Sequence, residues 1–145
     1  MYLDFSVMIN EDFFKNYGMI IKGVKHISPK EAFELCRKYA VMVDVREDYL
    51  NTFKTFDVSQ LIRIPFSELK LRWTELSKET PFILADSVGL YSHEAVDFML
   101  EKGFTTIANM VGGIVDWEKD RLPMKINTKE RLSGSCMCQL KPREK

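Results

Sequence analysis

The fold and the chemistry of this chain are decided by one stretch, Phe82-Ile83-Leu84-Ala85-Asp86-Ser87-Val88-Gly89-Leu90-Tyr91-Ser92. Its first four residues are apolar and predict a buried strand, and a helical pattern begins where the stretch ends. In a short loop between a strand and a helix N-terminus, backbone N–H groups converge and the helix dipole adds partial positive charge. Residues 86–92 are therefore predicted to be an anion-binding loop, and the residue that opens it is an aspartate.

The composition is that of one globular domain. The chain has 145 residues, 46% of them hydrophobic, which is enough for a core. Basic and acidic residues each total 21, and this balance argues against nucleic-acid binding through a broad basic face. No stretch approaches the roughly 18 apolar residues of a membrane span, and the first residues lack a signal-peptide pattern. Three cysteines favour a reducing, cytoplasmic setting over a disulfide framework.

Short apolar runs alternate with helical patterns along the chain. Ser28 and Glu31 form a capping-box pattern around Pro29, which predicts a helix start. The predicted strands are residues 41–45, 61–64, 82–85 and 105–110, and the later predicted helices are 66–76, 92–102 and 114–120. This order predicts an α/β fold with a central, mostly parallel sheet of about five strands, flanked by helices on both faces.

The chain divides into three predicted segments. Residues 1–23 are rich in aromatic side chains, so we expect an extension that packs on the body and contains a short helix over residues 12–17. Residues 24–126 form the domain. Residues 127–145 have few apolar side chains and an excess of basic ones, which predicts a flexible basic tail carrying a Cys-x-Cys pair.

Five groups of short motifs follow one another along the chain. They are Ile27-Ser28-Pro29, Asp44-Val45-Arg46-Glu47, Ile62-Arg63-Ile64-Pro65 with Ser67-Glu68-Leu69, Glu101-Lys102-Gly103-Phe104, and Gly112-Gly113-Ile114 with Trp117 and Leu122-Pro123. In this order they closely resemble the single-domain rhodanese-like proteins. The resemblance covers residues 24–123 and implies the rhodanese-like fold.

The resemblance also implies a chemistry, which is sulfur transfer. In the family, a cysteine thiolate opens the loop, takes sulfur from a donor such as thiosulfate and holds it as a persulfide. Matching strand to strand and helix to helix places Asp86 at the position of that cysteine. Tyr91 falls where members commonly carry an arginine, and Gly89 keeps the flexible position.

A carboxylate cannot form a persulfide, and its charge repels an anionic substrate. We therefore expect Asp86 to accept the loop N–H groups itself. The resulting hypothesis is a rhodanese-like domain without the catalytic cysteine, acting as a binding or regulatory module linked to sulfur metabolism or signalling. Its ligand would be a partner protein or a small anion at the loop, and no cofactor is expected.

Cys136 and Cys138 support an alternative, a sulfurtransferase or a sulfur or redox carrier that uses tail thiols. Lys141 and Arg143 favour the thiolate form of these cysteines. The pair is a weak metal candidate, because zinc takes four ligands and the chain has no second pair of this kind.

Four further residues could carry chemistry or could have a purely structural role. Cys36 is predicted to be a core residue. His26 is interpreted as a partly exposed strand-end residue, and His93 either as an exposed helix residue or as a group at the rim of the Asp86 pocket. Asp44 could join Asp86 in a magnesium-dependent phosphoryl acceptor, but it is better read as structural, orienting the following loop by ion pairing.

Overall fold

The computed structural model describes residues 13–48 and 53–127. Its strands are β1 (Met19–Ile21), β2 (Val24–Ile27), β3 (Val41–Asp44), β4 (Lys54–Phe56), β5 (Leu61–Arg63), β6 (Phe82–Ala85), β7 (Ile107–Met110) and β8 (Met124–Ile126). Its helices are α1 (Pro29–Cys36), α2 (Phe66–Arg72), α3 (Leu90–Glu101) and α4 (Gly113–Lys119), with a short 3₁₀ turn at Trp73–Glu75.

Six strands form the main sheet in the order β1-β2-β7-β6-β3-β5. The β1–β2 pair is antiparallel and the other pairs are parallel. The predicted α/β fold with a mostly parallel sheet is confirmed, with six strands where about five were expected. Asp44 pairs in register with Ala85, so the loops that follow β3 and β6 meet at the same edge of the sheet.

The sheet is buried between two apolar layers. Helices α2 and α3 cover one face, where Leu69, Val96 and Met99 join the core. Helices α1 and α4 cover the other, where Leu35 and Trp117 are fully buried. Every residue of β3, β6 and β7 is buried. Apart from Asp44 and Asn109 their residues are apolar, which is explained by burial on both faces rather than one.

The capping box at the start of α1 is present as predicted. The Ser28 hydroxyl accepts a hydrogen bond from the Glu31 N–H at 3.1 Å, and Glu31 Oε1 accepts one from the Ser28 N–H at 2.9 Å. The second carboxylate oxygen of Glu31 accepts the Gly18 N–H at 3.0 Å. This glutamate therefore links the helix to the segment that precedes β1.

Several short elements differ from the sequence-based expectation. Strands β1, β4 and β8 were not predicted, and β2 was indicated only by the interpretation of His26 as a strand-end residue, because runs of three or four residues are too short to show a periodicity. β5 is equally short, but its apolar run is closed by Pro65. Residues 13–18 form turns and not the helix expected over residues 12–17. Helix α3 begins at Leu90, two residues earlier than predicted, because the loop ends at Gly89 with a φ of 99°.

Parts of the predicted extensions lie outside the described residues, namely residues 1–12 and the tail from residue 128 onward with Cys136 and Cys138. Within the described N-terminal part, Phe14 is buried, and Phe13 and Tyr17 pack on the core. Among the described helices, none combines the length and apolar character needed to cross a membrane.

Candidate functional site

Asp86 lies at the end of β6, and its side chain folds back over the loop that it opens. Its Oδ1 accepts the N–H of Gly89, and its Oδ2 accepts the N–H groups of Tyr91 at 2.8 Å and Ser92 at 3.3 Å. The aspartate is only 3% exposed. The expectation that this carboxylate accepts the loop N–H groups is confirmed, so a side chain of the protein occupies the predicted anion-binding loop.

Two glycines allow the loop to take this shape. Gly89 caps the N-terminus of α3 with a left-handed backbone, φ 99°, which only glycine adopts freely. Gly113 has a φ of 59°, and a β-carbon there would lie 2.2 Å from the carbonyl carbon of Ser87. The first turn of α4 therefore packs directly against the loop, and the Ile114 N–H donates to the Asp86 carbonyl at 2.9 Å.

The neighbouring loop after β3 supplies the second wall of the site. Arg46 donates from Nε to Asp44 Oδ1 at 3.0 Å and from Nη2 to Asp44 Oδ2 at 2.9 Å, and both side chains are buried. Arg46 also donates to the Lys54 carbonyl at 2.9 Å, and Glu47 accepts both the N–H and the hydroxyl of Ser67. The predicted structural role of Asp44 is confirmed, because its carboxylate orients this loop.

A cavity of about 370 Å³ opens between these two loops. Its lining residues are Val45, Arg46, Glu47, Phe66, Asp86, Ser87, Val88, Leu90 and Tyr91. The walls are mostly apolar. Leu90 is 69% exposed and Tyr91 60% exposed at its mouth, and the Tyr91 ring lies 5.4 Å from that of Phe66, centroid to centroid.

The charge in the cavity disfavours anions. The Arg46 guanidinium is paired with Asp44, while the carboxylates of Asp86 and Glu47 line the cavity. An anion entering it would meet negative charge and find the N–H donors of Gly89 and Tyr91 already bonded. The arrangement suits an apolar side chain better.

A series of hydrogen bonds behind the loop, from Ser92 through Asn109 to His26, was not predicted from the sequence. The Ser92 hydroxyl donates to Asn109 Oδ1, and Asn109 Nδ2 lies 3.1 Å from His26 Nδ1. These residues are far apart in sequence, so no local pattern could have indicated the contact. His93 lies beside His26, with ring centroids 5.0 Å apart, and not among the residues that line the cavity.

The described cysteine, Cys36, is a core residue as predicted. It is 3% exposed, and burial raises the pKa of its thiol to about 12. It is therefore neither accessible nor ionised at neutral pH. The other candidate thiols, Cys136 and Cys138, lie outside the described residues. Within residues 13–48 and 53–127, no group of three or more histidine, cysteine or acidic side chains is placed to hold a metal ion.

The fold agrees with what the family comparison shows. A sequence model described as the rhodanese-like domain matches residues 21–120. The chain therefore belongs to the rhodanese-like domain family.

Curated relatives of the chain are sulfurtransferases. The protein named thiosulfate sulfurtransferase GlpE of Haemophilus influenzae (strain PittEE) is 26% identical over 104 residues, 69% of this chain and 93% of the relative. The protein of the same name from Coxiella burnetii (strain RSA 331 / Henzerling II) is 24% identical over 95 residues, 65% of this chain and 87% of the relative.

Solved structures show the same fold. The crystal structure of a rhodanese-related protein from Thermoplasma volcanium matches with a TM-score of 0.64 and 27% identity, over 70% of this chain and 98% of that one. The solution structure of a rhodanese-like domain from Anabaena sp. also has a TM-score of 0.64, over 73% of this chain and 82% of that one. Its identity of 14% supports the fold alone.

Proposed function

We propose that this chain is a rhodanese-like binding or regulatory module, linked to sulfur metabolism or signalling, that does not itself transfer sulfur through its loop. In this proposal Asp86 stands at the position of the family's nucleophilic cysteine. One observation carries it: both carboxylate oxygens of Asp86 accept N–H groups of its own loop. The cradle that would bind thiosulfate and activate a thiolate is thereby filled by a side chain with no sulfur.

The proposed ligand is a partner protein that places an apolar side chain in the cavity beside the loop. Phe66, Leu90 and Tyr91 supply an apolar lining, and burial of such a side chain is worth about 1.5–3 kcal/mol. The small anion that was the other expectation is disfavoured, because Asp86 would repel it. Titrating thiosulfate into the protein separates the two, since an anion bound at the loop would shift the amide NMR signals of Gly89 and Tyr91.

The enzymatic test is an assay of sulfur transfer from thiosulfate to cyanide, the donor being chosen because the Haemophilus relative is named for it. The unmodified chain is expected to show no rate above the reaction without protein. Asp86→Cys is expected to gain weak activity, because the N–H cradle stabilises a thiolate. Adding Tyr91→Arg is expected to raise the rate further by a charge-assisted contact to the donor.

Asp86→Ser is the matched control, since it is similar in size to the cysteine variant and carries no thiol. Robust turnover by a chain that keeps Asp86 and lacks residues 133–145 would contradict the proposal. A folded Asp86→Cys, Tyr91→Arg double variant with no activity would show that Asp86 does not correspond to the catalytic position.

A second candidate function is sulfur transfer or sulfur carriage by Cys136 and Cys138. The observation that favours it is the burial of Cys36, which leaves these two as the chain's remaining thiols. Incubation with a persulfide donor followed by peptide mass spectrometry tests it. A sulfur atom added to the peptide containing Cys136 and Cys138 supports this function, and an unmodified peptide supports the binding module.

A further inference from the structure

The Asp86 carboxylate is connected through the protein interior to a histidine. Ser92 Oγ lies 3.4 Å from Asp86 Oδ1 and donates its proton to Asn109 Oδ1. The Asn109 amide nitrogen lies 3.1 Å from His26 Nδ1. Ser92 is 0% and Asn109 2% exposed, so their polar atoms are satisfied by one another and not by bulk solvent.

The His26 end of this series of hydrogen bonds is close to the surface. The rings of His26 and His93 are in edge-to-face contact, and His93 Nε2 lies 3.8 Å from Asp97 Oδ2. The His93 side chain is 43% exposed. Strands β1 and β7 place Met19 and Asn109 opposite His26, and neither titrates. The charged groups that act on His26 therefore come from α3.

We propose that Ser92 and Asn109 are positioning residues for the Asp86 carboxylate, and that the protonation state of His26 decides how they hold it. The inference concerns regulation of the loop and rests on the proposed function of that loop as the binding site.

When His26 is neutral, Ser92 donates its hydroxyl proton to Asn109 and not to Asp86. The Asn109 oxygen accepts the Ser92 proton, so the Asn109 amide nitrogen faces His26 and donates to it. His26 Nδ1 then carries a lone pair, and the ring proton is on Nε2. Because Ser92 has one hydroxyl proton and gives it to Asn109, none is left for Asp86.

When His26 Nδ1 takes a proton from solvent, the direction of hydrogen-bond donation among His26, Asn109 and Ser92 is reversed. Nδ1 becomes a donor, and the Asn109 amide nitrogen cannot accept its proton. Rotation of the amide exchanges its two ends, so that its oxygen faces His26 and its nitrogen donates to Ser92 Oγ. The Ser92 proton then turns to Asp86 Oδ1, and the carboxylate gains a hydroxyl donor. One N–H bond forms at His26 as one O–H bond of a hydronium ion breaks to leave water, and no other covalent bond changes.

The geometry also sets where this change falls on the pH scale. Burial and the neighbouring His93 lower the pKa of His26, and Asp97 acts in the opposite direction. The transition is therefore expected below the ordinary histidine value of about 6.5.

NMR measures the coupling without any ligand. The His26 ring and the backbone amides of Gly89 and Tyr91 are followed over roughly pH 4.5 to 7.5. We expect the loop amides to shift with the midpoint of His26. In Ser92→Ala the His26 ring should still titrate while the loop amides lose that midpoint. His93→Gln removes a neighbour that lowers the pKa of His26. It should therefore raise the midpoint of His26 and the midpoint of the loop amides together. A merely structural role for Ser92 would not make the loop amides follow His26.

Two outcomes would overturn the proposal: loop amides that do not follow His26 in the unmodified chain, or loop amides that keep its midpoint in Ser92→Ala. Should Ser92→Ala fail to fold, His26→Gln at the half-buried end of the chain replaces it, and it should abolish the midpoint at the loop. These results are independent of the sulfur-transfer assay, so failure of the proposed function and failure of the coupling are distinguishable.

Discussion

Asp86 opens the loop after β6, and its carboxylate also accepts hydrogen bonds from the N–H groups of that loop. Its carboxylate satisfies N–H groups at the N-terminus of α3, including that of the buried Ser92. A buried donor left without an acceptor costs about 1–3 kcal/mol. The aspartate therefore stabilises the loop in the conformation that the structure shows.

Removal of this carboxylate should weaken the fold and reopen the anion site. Asp86→Ala is expected to lower the free energy of unfolding by about 1–3 kcal/mol, because the N–H groups of Gly89, Tyr91 and Ser92 lose their acceptor. Sulfate or thiosulfate should restore part of the loss by binding the free donors. Urea unfolding with increasing sulfate measures both effects.

The control for this variant is sodium chloride at matched ionic strength, with the unmodified chain measured in parallel. Sulfate stabilises most proteins to some degree, so the difference between the two chains is the quantity of interest. Equal stabilisation of both by sulfate would show that the cradle does not bind anions in the variant.

His26 should make stability depend on pH. Burial and His93 lower its pKa in the folded state, so the unfolded chain binds a proton more readily. The contribution of the neutral ring is complete above the unfolded value of about 6.5 and decreases as the pH falls towards the folded pKa. The urea midpoint should fall over this range in the unmodified chain and fall less in His26→Gln. Identical pH profiles for the two chains would refute this assignment.

At the scale of elements, the contact between α4 and the loop depends on Gly113. A β-carbon there would lie 2.3 Å from the carbonyl oxygen of Ser87, whereas one at Gly23, whose φ is also positive, would meet nothing within 4 Å. Gly23→Ala should cost about 1–2 kcal/mol for its left-handed backbone alone. Gly113→Ala adds overpacking of about 1–3 kcal/mol, and it should displace the loop.

Urea unfolding of the two glycine variants measures this difference, and NMR shift changes at Ser87 and Val88 report the displacement. Gly23→Ala is the matched control, because it has the same substitution and the same sign of φ in open space. Equal losses of stability for both variants would mean that α4 does not press on the loop.

The elements that could be predicted are those whose signals are local. The capping box of Ser28 and Glu31 indicated the start of α1, and the apolar run before Asp86 indicated β6. The β1–β2 hairpin also had a signal, Lys22-Gly23 between the apolar residues of β1 and Val24 of β2. Both turn residues have positive φ, as a type I′ two-residue hairpin turn requires. The hydrogen bonds from Ser92 through Asn109 to His26 had no local sequence signal, because only the folded sheet brings these residues together.

At the scale of the whole molecule, burial decides which thiols can react. Cys36 belongs to the core between the sheet and α1, so its exposure requires the fold to open. In the double variant Cys136→Ser, Cys138→Ser it is the remaining thiol of the chain. A thiol reagent is expected to label that variant at a rate that rises with urea as the unfolded population grows.

The unmodified chain is the comparison for this labelling, and its additional rapid phase should report Cys136 and Cys138. The rapid phase should accelerate with pH as thiolates form. Labelling of the folded double variant as fast as that of the urea-unfolded protein would contradict the burial of Cys36.

The order of strands in the sheet has a consequence for synthesis of the chain. β2 leaves the ribosome before β3, β5 and β6, yet its parallel partner β7 follows about 80 residues later. At about 5–20 residues per second, this interval lasts about 4–16 s. β3, β5 and β6 can meet during that time, whereas Val24 and Ile27 are left on a hairpin that is marginal by itself. The nascent protein therefore remains incomplete until β7 inserts between β2 and β6, and a ribosome that stalls before Ile107 leaves an apolar hairpin for chaperones or proteases to meet.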